Sequence, residues 1–165
     1  MKITVIRHAE TTYNAKGLFQ GQIECELTEK GLKDTIEKAK DFPKDFDVCF
    51  CSPLTRTKRT AEILVPNLDI ICDERIIETG LGDWEGTSNT EEKQALLRQK
   101  QIPPNGETFE EIDSRIIGFM QMLKSNYTGK NILVVTHAGV IYAMLRVLGL
   151  KAKKPENLEM MTIEI

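Results

Sequence analysis

The chain has 165 residues, 41% of them hydrophobic, with 22 Lys and Arg against 25 Asp and Glu for a formal net charge of −3. That length favours one domain over residues 1–165, large enough to bury a continuous core without disulfides or a structural metal. Acidic and basic residues are interspersed, which speaks against a nucleic-acid-binding surface and a membrane-directed basic face, so neither nucleic acid nor membrane is an expected partner.

The opening run Ile3-Thr4-Val5-Ile6 reads as a β-strand that stops at Arg7-His8. It meets Arg7 too soon to be the apolar region of a signal peptide, and no apolar stretch is long enough to span a bilayer, which makes the cytoplasm the default location. A polar stretch with Gly17 and Gly21 follows, and Thr28 then caps a helix running to about Phe42, where Pro43 stops it. Asp47 to Cys51 reads as a second strand broken by Ser52-Pro53, Leu54 to Leu64 as a short helix carrying Arg56 and Arg59, and Leu68 to Cys72 as a third strand. The region Asp73 to Gly106 holds Gly80, Gly82, Gly86 and Pro103-Pro104; it reads as loop with one polar helix at about Glu91 to Lys100, bordering the functional site. A helix from Thr108 to about Asn126 places Phe109, Ile112, Ile116, Phe119, Met120 and Leu123 on one apolar stripe, expected in the core. Ile132 to Thr136 forms a strand ending at His137, Ala138-Gly139 opens a helix to Leu148 that Gly149 ends, and Met160 to Ile165 can add an edge strand. Strand-like and helix-like segments thus alternate throughout, the signature of a layered α/β domain.

Cys25, Cys49, Cys51 and Cys72 show no metal-ligand spacing and have no histidine near them, so no zinc site is expected. Cys49 and Cys51, two apart on a strand, share one face as small buried hydrophobes and reduced thiols.

The chain has only two histidines, and each closes a β-branched run: His8 beside Arg7, and His137 after Thr136. Two such runs read as parallel strands delivering two imidazoles to one sheet edge, where open α/β folds place ligand sites. With Arg56 added, that edge gathers two fixed cations and two titratable rings, a cluster suited to a multiply charged anion. Phosphate fits best, because guanidinium forks match its oxygens and the helix opening after His137 offers backbone N–H donors, with Ala138 and Gly139 keeping the approach open. No carboxylate pattern resembles a magnesium or two-metal site, so neither metal nor cofactor is expected and the positive charge must come from the protein. A neutral imidazole in such a pocket can attack phosphorus, and a carboxylic acid can then protonate the departing alkoxide.

Five ordered segments resemble the histidine phosphatase superfamily, the phosphoglycerate mutase-like proteins: Arg7-His8-Ala9-Glu10-Thr11 with Asn14; Gln20-Gly21 and Leu27-Thr28-Glu29-Lys30-Gly31; Ser52-Pro53-Leu54-Thr55-Arg56-Thr57 with Thr60-Ala61-Glu62; Glu78 with Gly82 and Trp84-Glu85-Gly86; and Val134-Val135-Thr136-His137-Ala138-Gly139. The resemblance implies an α/β three-layer sandwich with a mostly parallel central sheet flanked by helices. It also implies that His8 becomes phosphorylated, that Arg7, Arg56 and His137 hold the phosphoryl oxygens, that Asn14 adds a hydrogen bond, and that Glu78 is the acid and then the base for water. Gln20 and Gly21 would line the substrate side. Trp84 is either a pocket wall or a core aromatic, Arg59 faces either the pocket or solvent, and Glu74 and Glu85 are weaker candidates for the acid.

The sequence departs from the family pattern at Ala9 and Ala138, where many members carry glycine, at Tyr13, where tryptophan is frequent, and at Arg59, where glutamine is. Glycolytic mutases of the family carry a long insertion between the acid segment and the second histidine, whereas Gly86 to Thr108 is short here. The resemblance therefore points to a metal-independent phosphomonoesterase acting on a small phosphorylated metabolite and releasing inorganic phosphate. A mutase and a non-catalytic phosphate-binding module are the alternatives. The candidate substrates are α-ribazole phosphate, a sugar phosphate, phosphoglycerate and phosphohistidine on protein.

Overall fold

In the computed structural model, which describes residues 1–165, five strands form one sheet: β1 (Lys2–Arg7), β2 (Val48–Cys51), β3 (Ile70–Cys72), β4 (Asn131–Thr136) and β5 (Met160–Glu164). Their order is β3-β2-β4-β1-β5, with β3, β2, β4 and β1 parallel and only β5 antiparallel, beside β1. The helices are α1 (Thr12–Ala15), α2 (Glu29–Lys40), α3 (Thr55–Leu64), α4 (Glu91–Arg98), α5 (Phe109–Asn126) and α6 (Ala138–Val147).

The unbroken β-branched runs of β1 and β4 follow from burial on both faces of a parallel sheet. Alternate side chains serve opposite layers. Ile3, Val5, Val48, Phe50, Ile132 and Val134 pack with α5 and α6 through Ile116, Phe119, Leu123, Ile141 and Met144. Ile6, Cys49, Cys51, Leu133 and Val135 pack with Ala61 and Leu64 of α3 and with Phe42 and Phe46. The result is the α/β sandwich with a mostly parallel central sheet that the sequence implies.

Capping fixes the helix starts where the sequence places them. Thr28 Oγ1 accepts from Gly31 N at the head of α2, and Thr108 and Glu111 close a reciprocal capping box at the head of α5. Differences from expectation are local. α2 stops at Lys40 rather than Phe42, because Asp41 leaves the helical conformation and Phe42 turns into the core. β3 begins at Ile70, the first residue that pairs with β2. α4 ends at Arg98, before Lys100 adopts a left-handed φ of 59°. The polar stretch after β1 contains α1, capped by Thr11 and Asn14, and the Asp73–Gly106 loop contains 3-10 turns at Glu74–Ile76 and Gly82–Trp84. Phe109 is a correction: at the first position of α5 it is only half-buried, under the Arg146 guanidinium, while the other five stripe residues are buried.

All four cysteines are unpaired. Cys49 and Cys51 are buried on one strand face as expected, and burial pushes the Cys49 thiol up to about 12. No helix is long and apolar enough to cross a membrane.

Candidate active site

The last parallel pair of β1 and β4 is Arg7 with Thr136, so the next residues, His8 and His137, come out abreast at the carboxyl edge of the sheet. The ladder continues one step further, with His8 N donating to Thr136 O and Ser52 N donating to Val135 O. Three strands thereby deliver His8, Ser52 and His137 to one place. Both imidazoles are buried, and their ring centres lie 5.2 Å apart.

Hydrogen bonds fix both tautomers. His8 Nδ1 lies 2.7 Å from Ala9 O, which can only accept, so Nδ1 carries a proton and in the neutral ring the lone pair sits on Nε2. Arg56 Nε can only donate, and it points at His137 Nδ1 at 3.3 Å; His137 therefore carries its proton on Nε2 and donates to Ser52 Oγ at 2.7 Å. Burial holds the pKa of each ring well below the usual imidazole range, and the nearby charges of Arg56 and Arg7 act in the same direction. Two neutral rings between two cations is the resting state.

Arg56 is 1% exposed, and most of its donors are used by the loop between α1 and α2. Nη1 donates to Ile23 O and, more weakly, to Cys25 Sγ, while Nη2 donates to Gly21 O. With Nε on His137, one Nη2 hydrogen remains uncommitted. Arg7 donates through Nη1 to Pro155 O at 2.8 Å, while its buried Nε has no protein partner. Such an orphaned donor is costly unless an anion satisfies it. Burial lowers the Arg7 pKa, and Glu78 and Glu156 raise it in partial compensation.

Glu78 follows the Glu74–Ile76 turn and faces the start of α6. Its Oε1 accepts from Thr79 N at 2.8 Å and its Oε2 from Gly139 N at 3.4 Å. A Cβ at position 139 would collide with the Glu78 carboxylate and the Thr79 hydroxyl. Gly139 thus makes room for the Glu78 segment, and its N–H points at that carboxylate. Gln22 Nε2 and Arg115 Nη2 both donate to Glu78 O, and Arg115 is itself paired with Glu107, so the segment is braced from two sides. No group of three or more His, Cys, Asp or Glu side chains is placed to hold a metal ion.

Residues 3–165, which include every one of these side chains, match the family model described as histidine phosphatase superfamily (branch 1). The chain belongs to the histidine phosphatase superfamily. It is 32% identical over 158 residues to an Arabidopsis thaliana protein named metal-independent phosphoserine phosphatase, covering 87% of this chain and 66% of that one. It is 30% identical over 183 residues to a 2,3-bisphosphoglycerate-dependent phosphoglycerate mutase of a Methylobacterium species, covering 97% and 86%. The crystal structure of the α-ribazole phosphatase from Shigella flexneri superimposes with a TM-score of 0.85 at 28% identity, covering 100% of this chain and 91% of that one.

The other histidine phosphatase positions fall as follows. Asn14 borders the site, its Oδ1 accepting from Thr11 N. Gln20 Oε1 accepts from Thr11 Oγ1 and Cys25 Sγ, which ties it to the loop under Arg56. Gly21 has a φ of 51° and packs so closely on Glu85 that no side chain fits. Ala138 is half-buried at the head of α6. Glu85 braces loops, its Oε1 accepting from Gln22 N and Leu81 N, and Glu74 opens the turn before Glu78. Arg59 faces solvent in an exposed pair with Glu62. Trp84 stacks on buried Phe19 beneath Lys93 Nζ, as a loop anchor.

Three positions were not singled out by the sequence. Ser52 and Thr60 both stand in the segment that resembles the family's second arginine segment, and for Ser52 its place as a small polar residue directly after a buried strand is a usable signal. Thr60 accepts from Ala9 N at 3.1 Å and donates to Arg56 O at 2.7 Å, joining α3 to the His8 turn. Tyr142, half-buried on α6 near Arg7, has its pKa raised by burial. Thr60 and Tyr142 look like ordinary helix residues until α3 and α6 are docked.

Proposed function

We propose that this protein is a phosphomonoesterase that hydrolyses a small phosphorylated metabolite through a phosphohistidine on His8. The observation that carries this reading is the cluster of buried His8, His137 and Arg56 with Arg7, in which the Ala9 carbonyl holds a proton on His8 Nδ1 and so leaves Nε2 as the nitrogen to carry the lone pair. In the reaction, Nε2 attacks phosphorus, the P–O ester bond breaks, and Glu78 protonates the departing oxygen. Positive charge on the phosphorylated ring is shared through Nδ1–H to Ala9 O. Water then attacks phosphorus with Glu78 as base, the P–N bond breaks, and inorganic phosphate leaves with the lone pair restored on Nε2.

The charge on the transferring group is met by Arg7, whose Nε lacks a protein partner, and by the uncommitted Nη2 hydrogen of Arg56. Asn14 and the Ala138 N–H at the head of α6 add donors, whereas the Gly139 N–H expected to do so is directed at the Glu78 carboxylate instead. His137, neutral because its Nδ1 accepts from Arg56 Nε, has one donor, the Nε2–H now on Ser52 Oγ, to offer a phosphoryl oxygen. These residues supply the charge without a metal, in keeping with the Arabidopsis relative's name. Gln20 and Gly21 border the substrate side. Phosphoserine and α-ribazole phosphate head the candidate substrates, from the names of similar proteins. We place the enzyme in the cytoplasm as one domain over residues 1–165.

A mutase is the second reading, favoured by the Methylobacterium relative. That match extends over 183 positions, more than the 165 residues of this chain, so part of the mutase has no counterpart here. The deciding experiment is phosphate release by purified protein, in EDTA, from a panel including phosphoserine, 3-phosphoglycerate, sugar phosphates and α-ribazole phosphate. Release with a clear preference supports the phosphatase. Isomerisation of 3-phosphoglycerate after a bisphosphate primer, without release, moves the protein to the mutases, and silence in both assays leaves a phosphate-binding module.

A further inference from the structure

The segment before β5 carries a second set of contacts to the site, from residues outside the five motif segments. Leu158 N donates to Arg7 O and Arg7 N to Glu159 O, which seats residues 157–159 against the end of β1. There Asn157 Nδ2 donates to His8 O at 2.9 Å and to Asn14 Oδ1 at 3.3 Å. Pro155 O, two residues earlier, accepts from Arg7 Nη1. Leu158 holds a left-handed φ of 60°, a conformation costly for leucine that persists only where the surroundings over-determine it.

Backbone partners settle which way both amides face. The group that meets His8 O must be the NH2 of Asn157, because a carbonyl only accepts; the group that meets Thr11 N must be the oxygen of Asn14, because a backbone N–H only donates. Asn14 Oδ1 is therefore held by two donors, Thr11 N and Asn157 Nδ2, and its own NH2 is turned away from them. That is the orientation in which Asn14 can donate to a phosphoryl oxygen. The same Asn157 amide anchors the carbonyl of the nucleophile's own residue.

We propose that Asn157 is a positioning residue for phosphoryl transfer, its amide fixing the backbone of His8 and orienting the Asn14 amide as a donor to the transferring group. This rests on the phosphatase reading above. It makes one ordering that packing alone does not. Asn157→Asp keeps the size but presents an acceptor to two acceptors, so it should be worse than Asn157→Ala; for a residue that merely fills space, the Asp variant would be the milder.

The test measures kcat/KM on p-nitrophenyl phosphate, affinity for inorganic phosphate by calorimetry, and thermal melting, for wild type, Asn157→Ala, Asn157→Asp, Asn14→Ala and the Asn14→Ala/Asn157→Ala double variant. Asn157→Ala should lower kcat/KM about 10-fold, Asn157→Asp should fall further, and the double variant should be less impaired than the product of the two single losses predicts. Multiplying losses, or an Asp variant at or above the Ala variant, would overturn the proposal. If Asn157→Ala does not fold, Asn157→Ser replaces it in the cycle. Should wild type turn nothing over, the phosphatase reading fails, while the same comparison in phosphate affinity still supports or overturns the role of Asn157. Absence of both turnover and phosphate binding in wild type would overturn both.

Discussion

Arg56 donates its Nε–H to Nδ1 of His137 at 3.3 Å, so a buried cation is held against a ring that must stay neutral to accept it. Burial, and after it the same guanidinium, lowers the pKa of His8. Both imidazoles stay unprotonated well into acid, and a neutral nucleophile is what attack on phosphorus requires. The acid limb of kcat/KM should therefore lie below about 6.5, where an ordinary histidine would put it. A pH profile of the free-enzyme parameter checks this, and an acid limb at or above 6.5 would refute the resting state described.

Stability should show the same pair. Because the folded pKa values are depressed, the unfolded chain binds protons first, and folding free energy falls as pH drops from about 6.5 towards the folded values. Each ring contributes a slope of up to about 1.4 kcal/mol per pH unit. Urea denaturation of wild type and of His8→Asn at pH 5 to 7.5 should give a shallower dependence for the variant. Parallel curves would mean that His8 is not held neutral by the fold.

His8→Ala should reduce turnover by about 10³-fold or more, as loss of a covalent nucleophile does, while leaving a folded protein, since the ring lies at the sheet edge between polar partners. The companion measurement is acid-labile, base-stable incorporation of phosphate from labelled substrate, present in wild type and absent in the variant. Near-normal hydrolysis by His8→Ala would remove the phosphohistidine from the mechanism.

Much of this fold was legible because a parallel sheet buried on both faces needs uninterrupted β-branched runs, and β1 and β4 supply them, each ending at a histidine. Ser52-Pro53 and the cap at Thr28 marked element ends for equally local reasons. Other features depend on docking. Phe109 fits the α5 stripe in one dimension yet sits at the helix start, where the layer ends and Arg146 covers it. Thr60 and Asn157 reach the His8 turn from segments 51 and 149 residues away in sequence, and no periodicity or spacing rule announces them. That Arg7, His8 and His137 come together was readable from residue type at strand ends, and the inward aim of Arg56 from the Ser52-Pro53 break before its helix, whereas Thr60 and Asn157, which hold the His8 turn, were not.

Thr60→Val should expose that hidden layer. The hydroxyl is buried, accepts from Ala9 N and donates to Arg56 O, so the isosteric valine leaves the Ala9 N–H without its partner. An unsatisfied buried donor costs about 1–3 kcal/mol, and here it belongs to Ala9, the residue whose own carbonyl fixes the His8 tautomer. Denaturation should show a loss in that range, accompanied by a fall in kcat at temperatures where the variant is fully folded. Loss of stability with unchanged kcat would confine Thr60 to a packing role.

Glu78→Gln tests the acid role proposed for Glu78 apart from the rest of the site. The amide is the same size and can keep its oxygen on Thr79 N, so the fold around the segment braced by Gln22 and Arg115 should persist. What it cannot do is give a proton to a departing alkoxide. Alkyl phosphates need that proton and should lose about 10²- to 10⁴-fold in kcat/KM, whereas p-nitrophenyl phosphate, with a leaving group stable as its anion, should lose far less. The comparison is internal to one variant, so any change in phosphate affinity cancels between substrates. Equal losses on both would mean that Glu78 acts through structure or charge, and the proton would have to come from another group facing the site, of which Tyr142, near Arg7 on α6, would be the first to test.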